Sequence, residues 1–320
     1  MNPSPIDARV LGPAETAAAL PYPALLQELV RLLLDPAVHV PARLVQPLPG
    51  GGSLFLMPAH DARMAITKLI TFTPANAGSG RPTIQGDVIV TDVATGSRTL
   101  LLDGPTVTAR RTAAVSALAA QRLAPRPQGP LLIVGAGVQG RAHLDAFSDC
   151  LGVSEVVIAS RSPASAEALA HHARSRGLRA RTTTDPDAAL PDCPLVVTCT
   201  PASGVALSAL PGPAHFIAAV GAFTPAMREL APELCRHVAR TGRVVVDTPQ
   251  ALHEAGDLLQ AGLDVSGLES LADVVRIDAA FDRPAAETGP LLFKSCGWAG
   301  WDLAAARCAL QTLGGSGPGG

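Results

Sequence analysis

Beyond residue 130 the chain settles into short apolar runs, each followed by a longer segment with helical spacing. The runs lie near 131–135, 155–160, 178–181, 194–200, 214–220 and 243–247, and a further helix is expected near 249–261. Continuous apolar runs alternating with helices are what a parallel sheet covered on both faces requires. The earlier residues follow another pattern. A helical periodicity over 14–34, interrupted by Pro21-Tyr22-Pro23, ends at Asp35-Pro36. Alternating, β-rich segments follow, "SLFLMPA", "RMAITKLITF" and "TIQGDVIVTD", and the Gly, Pro and Asn signals between them predict antiparallel strands. "DVATGSRTLLLDG" predicts a hairpin turning at Ala94-Thr95-Gly96, and "GPTVTARRTAAVSALAAQRLA" an alanine-rich helix. "PRPQGP", residues 125–130, is a short stiff linker. The segment 288–310 predicts a loop and a final helix that returns to the first region, so the first domain is discontinuous. The expected fold class is α/β: a Rossmann-type doubly wound parallel sheet plus a discontinuous α+β domain. The glycine-rich end, "GGSGPGG", is a flexible tail and takes no part in this reading.

Composition narrows the function. With 320 residues, 48% of them hydrophobic, the chain buries a sizeable core in one large or two modest domains. A net charge of -2 without blocks of like charge gives no footprint for nucleic acid or an anionic membrane. No apolar stretch approaches the roughly 20 residues of a membrane span, and the first ten residues lack a signal pattern, so a cytoplasmic protein is expected. The six cysteines show no metal-ligand spacing and read as reduced thiols. Adjacent His171 and His172 point about 100° apart on a helix and cannot chelate one ion together, so no metal site is expected. Among the 25 basic residues only Lys68 and Lys294 are lysine. Either each serves a task suited to a compact, titratable ammonium, or both are remnants of biased codon usage.

The first apolar run leads into Gly135, Gly137 and Gly140, a GxGxxG at the first strand–helix turn of the alternating series, with Val138 and Gln139 inside it. There glycine permits a tight turn, close approach of a pyrophosphate, and helix–sheet packing, while the helix N-terminus offers free amides. The alternative is a ligand-free glycine turn. The next strand selects the nucleotide. An NAD site places an acid at that strand's carboxyl end. Here the end reads "IASRS" and Glu155 lies at the other end, so Ser160, Arg161 and Ser162 are expected to hold a 2′-phosphate, with NADPH as cofactor and NADH as the second option. Thr200 and Pro201, and Gly221, close later strands and should face the cofactor crevice, Gly221 giving room for the ring; for Thr200 a plain strand-end cap is the other reading.

Arg43, Lys68 and Arg111 come from three separate elements of the first region, and together they would make a carboxylate site. Sequence does not show that they converge. In order, "PAR" (41–43), "MPA" (57–59), the lysine of "AITKLI", "GRPTIQG" (80–86), "LLDGPTVTARRTAAVSALAA" (101–120), "GAGVQGRAH", "AVGAFTPAMREL" (219–230), "EAGDL" (254–258) and "LLFKSCGWAGWDLAAA" (291–306) resemble the ornithine cyclodeaminase/mu-crystallin family over almost the whole chain.

The resemblance implies a homodimer in which residues 1–112 with 292–320 bind substrate and dimerise, and 113–291 form the NAD(P)-binding Rossmann domain. Position by position it implies that Arg43, Lys68 and Arg111 hold the substrate carboxylate, with Lys68 the catalytic candidate and Arg110 the unmatched neighbour. It puts Lys294 near the crevice in a structural or cofactor role. In the cyclodeaminases of the family an aspartate follows the glycine pair after the "VG" strand; this chain has Phe223 in that place, beside the substrate or in the core. A phenyl ring cannot accept a proton or activate an amine. The resemblance is therefore nearest to the ketimine reductases, which reduce Δ1-pyrroline-2-carboxylate and Δ1-piperideine-2-carboxylate to L-proline and L-pipecolate. The other readings are an ornithine or lysine cyclodeaminase with catalytic NAD, an alanine or opine-type dehydrogenase, and a non-enzymatic NADPH-binding protein.

Overall fold

The computed structural model describes residues 8–76, 79–201, 203–279 and 289–314. The N-terminal segment 1–7, Ala202 and the tail 315–320 lie outside the described residues. Two compact units result: the chain up to Arg111 together with everything from Ala299, and Thr112–Trp298.

The first unit contains β1 (Arg9–Leu11), α1 (Pro13–Ala18), α2 (Tyr22–Leu34), β2 (Leu44–Leu48), β3 (Gly52–His60), β4 (Met64–Phe72), β5 (Ile84–Asp92) and β6 (Arg98–Asp103), then enters α3 (Gly104–Leu123), within which the unit boundary falls. The strands form one sheet in the order β1-β6-β5-β4-β3-β2, antiparallel except for β1 beside β6. The single helical pattern expected over 14–34 is two helices. Pro21 caps α2 and Pro23 sits in its first turn, where amides have no intrahelical partner and proline costs nothing.

The second unit runs through β7 (Leu131–Val134), α4 (Val138–Leu151), β8 (Glu155–Ala159), α5 (Pro163–Ser175), β9 (Arg179–Thr183), α6 (Pro186–Ala189), β10 (Leu195–Thr198), β11 (Ser203–Leu207), β12 (Phe216–Ala219), β13 (Arg228–Leu230), α7 (Pro232–Thr241), β14 (Arg243–Val246), α8 (Gly256–Gln260), β15 (Glu269–Ser270), α9 (Leu271–Ala279) and β16 (Leu291–Lys294). Eight of these strands make a wholly parallel sheet in the order β15-β14-β16-β12-β10-β7-β8-β9, while β11 and β13 pair separately. The order reverses between β7 and β10, which marks the switch point where doubly wound folds take their ligands. Strands β7, β10 and β12 are buried along their whole length, as expected of strands covered on both faces.

Two expectations are corrected here. Residues 291–294 are a strand, not a loop: β16 inserts between β12 and β14 although it comes last in sequence. Its four buried residues are too short a run for periodicity to identify, and the boundary expected at 291 consequently moves to 298. The helix expected over 249–261 is a 3-10 turn, Pro249–His253, followed by the short α8.

After β16 the chain re-enters the first unit as α10 (Ala299–Gly314), whose alanine-rich surface packs on α2 and on β3, β4 and β5. Buried Arg307 fastens it. Its Nε donates to Asp61 Oδ2 at 2.7 Å and one Nη to Asp35 Oδ2 at 2.6 Å.

In the second unit His143 of α4 is fully buried. Its Nδ1 lies 2.7 Å from the Gln139 carbonyl oxygen and must donate to it, so Nε2, 3.0 Å from Ser116 Oγ on α3, accepts. Burial pushes the imidazole from 6.5 down to about 4. The unfolded chain therefore binds a proton that the folded one refuses between those values, and stability falls as pH drops from about 6.5 to about 4. The shift amounts to about 3 kcal/mol. Urea midpoints of the wild type should fall more steeply over this window than those of His143→Gln, which keeps a donor and an acceptor but does not titrate. Parallel slopes would contradict the assignment.

Candidate active site

Alternation along β4 puts Met64, Ile66 and Lys68 on the covered face of the first unit's sheet, with Lys68 between Met57 of β3 and Val88 of β5. Lys68 is 0% exposed. Its Nζ donates to Thr108 Oγ1 at 2.6 Å and to Asp302 Oδ1 at 3.0 Å, and Arg111 Nε lies 3.3 Å from that same Oδ1. Thr108 and Arg111 are three apart on α3 and so share a face. Arg43 immediately precedes β2, and its charge bears on the Lys68 ammonium. Its guanidinium stands 6.0 Å from the Phe55 ring centroid. Neighbouring Arg110 is engaged elsewhere: its Nε donates to the Leu20 carbonyl at 2.8 Å and its guanidinium stacks on Tyr22 at 3.9 Å.

Two of the three cations expected from sequence, Lys68 and Arg111, thus meet at a carboxylate that the sequence reading missed, while Arg43 is near enough for its charge to act on Lys68. Burial pushes the Lys68 ammonium down to about 8, against the attraction of Asp302, and the charges of Arg111 and Arg43 press in the same direction as burial. One carboxylate does not balance the two buried cations Lys68 and Arg111. Two of the three ammonium donors are engaged, and Arg111 Nε and Asp302 Oδ2 are buried without a hydrogen-bond partner among the described residues. Such an arrangement can accept an anion. Asp302 could have been found as the lone acid of the apolar segment 299–306.

In the second unit, Gly135 and Gly140 are explained by the chain itself. Gly135 has φ +118°, and a Cβ there would lie 2.7 Å from the Cys199 carbonyl oxygen; a Cβ at Gly140 would lie 2.1 Å from that of Gly135. Gly137 is different, since a Cβ there meets nothing within 4 Å. It faces open space before the N-terminus of α4, which has no side-chain cap, next to Val138, 75% exposed. Gln139 Oε1 is buried without a hydrogen-bond partner among the described residues. Open space and uncapped amides fit a bound pyrophosphate, whereas the Gln139 oxygen, an acceptor, would need a donor from elsewhere.

At the carboxyl end of β8, Ser160 Oγ accepts from the Ser162 amide at 3.1 Å and Ser162 Oγ from the Ser165 amide at 3.3 Å, capping α5. Each hydroxyl keeps its own hydrogen to donate, and Arg161 between them is exposed. Glu155 lies at the opposite end of β8, paired with Arg179. This edge fits a phosphate and offers no acid to a ribose.

Thr200 and Gly221 lie at the ends of β10 and β12, and both donate their amides to Glu229, at 2.5 and 2.6 Å. The reason expected for Gly221 needs correction. A Cβ there would lie 2.5 Å from the Glu229 carboxylate and 2.3 Å from the Thr200 carbonyl oxygen, so this glycine makes room for a side chain of its own unit. Pro201 is exposed, and Phe223 is 36% exposed, so it is no core residue. Lys294 is fully buried. Burial opposes its charge, but Asp257, at 2.8 Å, leads the acids that hold its pKa above the ordinary value. Burial likewise raises the Glu229 carboxyl, with Lys294 opposing. Glu229 and Asp257 were not singled out from sequence. Among the described residues no cluster of His, Cys, Asp and Glu could hold a metal ion, and no helix is long and apolar enough to cross a membrane.

A glycine loop at the switch point of a parallel sheet, together with a cationic site in a separate α+β unit, defines a dinucleotide-binding α/β protein. The model of the ornithine cyclodeaminase/mu-crystallin family matches residues 24–315, and the chain belongs to that family. It is 42% identical to Delta(1)-pyrroline-2-carboxylate reductase 1 of Burkholderia multivorans over 311 residues, 95% of this chain and 96% of the other. It is 40% identical, over the same shares of the two chains, to a Delta(1)-pyrroline-2-carboxylate/Delta(1)-piperideine-2-carboxylate reductase of Azospirillum brasilense. The structure of Thermococcus litoralis Delta(1)-pyrroline-2-carboxylate reductase in complex with NADH and L-proline superposes with a TM-score of 0.86 over 97% of this chain and 99% of that one. At 23% identity this last likeness establishes the fold.

The glycines separate packing from binding. Gly137→Ala should leave the unfolding free energy within about 0.5 kcal/mol of the wild type and weaken dinucleotide binding about tenfold or more. Gly140→Ala should destabilise the protein itself, by about 1–3 kcal/mol. Urea unfolding and dinucleotide titration of both variants check this; equal destabilisation would show that Gly137 is only a packing glycine.

Proposed function

We propose that the chain reduces cyclic imino acids, Δ1-pyrroline-2-carboxylate and Δ1-piperideine-2-carboxylate, to L-proline and L-pipecolate, with NADPH as preferred donor and NADH as the second. The observation that carries this reading is the surplus of positive charge around Asp302, which needs a small anion. The activities of the Burkholderia and Azospirillum relatives support the choice of substrate.

In this reading Arg43 and Arg111 bind the substrate carboxylate, Arg111 through its planar fork, and Lys68 adds charge and its remaining N–H from behind them. The imine carbon would take its hydride from NADPH when that cofactor is bound, the nitrogen keeping the proton it brought as an iminium. With a pKa near 8, Lys68 is charged at neutral pH yet able to exchange a proton, which makes it the catalytic candidate. Fixing the carboxylate orients the planar C=N group, and positioning of this kind supplies up to roughly 7–11 kcal/mol in favourable cases. Phe223 stands where the cyclodeaminases carry an aspartate, and a phenyl ring cannot activate a second amine, a step that reduction of a cyclic imine does not require.

Gly135, Gly137, Val138, Gln139 and Gly140 would hold the pyrophosphate and Ser160, Arg161 and Ser162 the 2′-phosphate, with Thr200, Pro201 and Gly221 on the nicotinamide side. The first unit, residues 1–111 with 299–320, is read as the substrate-binding and dimerising part. A homodimer is supported by the sheet face opposite Lys68, where the row Leu44, Leu56 and Leu69 leaves Leu44 56% and Leu69 38% exposed beside the edge strand β2. A cytoplasmic location agrees with the buried thiols of Cys193, Cys235, Cys296 and Cys308.

The direct experiment follows NADPH oxidation with each cyclic imino acid and, as control, ammonia release from ornithine. Oxidation with the imino acids and no ammonia is expected; ammonia release, or no turnover of either imine, overturns the reading. Arg111→Ala should reduce turnover about 100-fold, as loss of a charged bidentate contact implies, with NADPH binding within about twofold. In a separate titration Arg161→Ala should weaken NADPH about tenfold and NADH little; equal effects on both would remove the 2′-phosphate assignment.

A further inference from the structure

Strands β10 and β12 pair as far as Thr198 opposite Ala219, with one more bond from the Val220 amide to the Thr198 carbonyl at 3.0 Å. Beyond that point they part, and the Glu229 side chain, 0% exposed, fills the fork. Oε1 accepts from the Thr200 amide at 2.5 Å and its hydroxyl at 2.9 Å; Oε2 accepts from the Gly221 amide at 2.6 Å and the Thr198 hydroxyl at 3.0 Å. The carboxylate thus replaces the backbone pairing that the separation gives up. Its own strand is anchored in turn, since the Glu229 and Leu230 amides donate to Asp257 Oδ1 at 2.6 and 2.9 Å. Asp257 pairs with Lys294, whose Nζ returns to the Ala219 carbonyl at 3.3 Å, so the contacts close on the strand where they began.

Ligands of open α/β sheets lie beyond the carboxyl ends of the strands. Strand β7, with the glycine loop, stands between β8 on one side and β10 and β12 on the other. A dinucleotide on that loop therefore has its adenosine half toward Arg161 and its nicotinamide half toward the fork. We propose that Glu229 is a positioning residue that sets the separation of the β10 and β12 ends and so holds Thr200 and Gly221 for the nicotinamide half. This rests on the dinucleotide reading above.

Glutamine at 229 keeps the shape but offers one accepting oxygen to donors that need two. The test compares wild type, Glu229→Gln and Thr200→Val, which removes one donor and leaves no buried charge unpaired. Binding of NADPH and of 2′,5′-ADP, which lacks the nicotinamide half, is titrated, and amide exchange at Thr200 and Gly221 is followed in the ligand-free protein. Glu229→Gln should exchange faster at both amides and bind NADPH about tenfold more weakly, the loss of one charged hydrogen bond, with 2′,5′-ADP within about twofold. Thr200→Val should show the same selectivity more weakly, and it carries the test if Glu229→Gln does not fold. Equal weakening of both ligands, or unchanged NADPH affinity in both variants, overturns the proposal while leaving the dinucleotide reading intact. Failure of the wild type to bind NADPH overturns both.

Discussion

The carboxylate of Asp302 is the constraint on which the first unit depends. Lys68 and Arg111 are both buried, and a buried ion left unpaired costs several kcal/mol. Asp302 meets both through one oxygen, and it arrives on α10, from the far end of the chain. The unit's two segments are therefore joined by charge as well as by apolar packing, and β4, α3 and α10 come together around one atom. Because one carboxylate meets two buried cations, Lys68 and Arg111, the pair of them is left with positive charge in excess. The same contact that permits the cations to be buried also defines what they can bind.

The second unit solves a similar problem with opposite sign. Glu229 is buried at the parting of two strands and satisfied by four donors, with Lys294 and Asp257 beneath it. Each of the chain's two lysines thus lies fully buried in an ion pair with a buried aspartate. Their surroundings separate them. Burial lowers the pKa of both ammonium groups. At Lys68 it outweighs the attraction of Asp302, with Arg111 and Arg43 pressing the same way, and the value falls to about 8. At Lys294 the attraction of Asp257 and Glu229 outweighs it, and the charge persists to higher pH. A compact ammonium fits such spaces where a guanidinium fork would not, which gives physical content to the scarcity of lysine in an arginine-rich chain.

How much could be read in advance follows from the range of each interaction. The parallel strands, the glycine loop and the β8 edge were legible because they depend on residues close in sequence. Arg43, Lys68 and Arg111 were legible as residue types, but their meeting was not. Lys68 and Asp302 are 234 residues apart, and an acid in an apolar helix carries no mark of its partner. Strand β16 escaped because four apolar residues fit several conformations and its place between β12 and β14 is a property of the whole sheet. Gly221 was recognised as a close approach, but the approaching group is Glu229, eight residues on, and only the fold brings it there.

With only two lysines, the Lys68 ammonium can be followed directly, by NMR of protein labelled at lysine. Lys68 should titrate near 8 in the free protein, while Lys294 remains charged beyond 10.5. Saturating L-proline should raise the Lys68 value, because the bound carboxylate adds an anion beside a group now pressed by two cations. A Lys68 signal that titrates at the same pH with and without L-proline, or near 10.5 in the free protein, would contradict the account of a buried cationic site built to hold a small carboxylate.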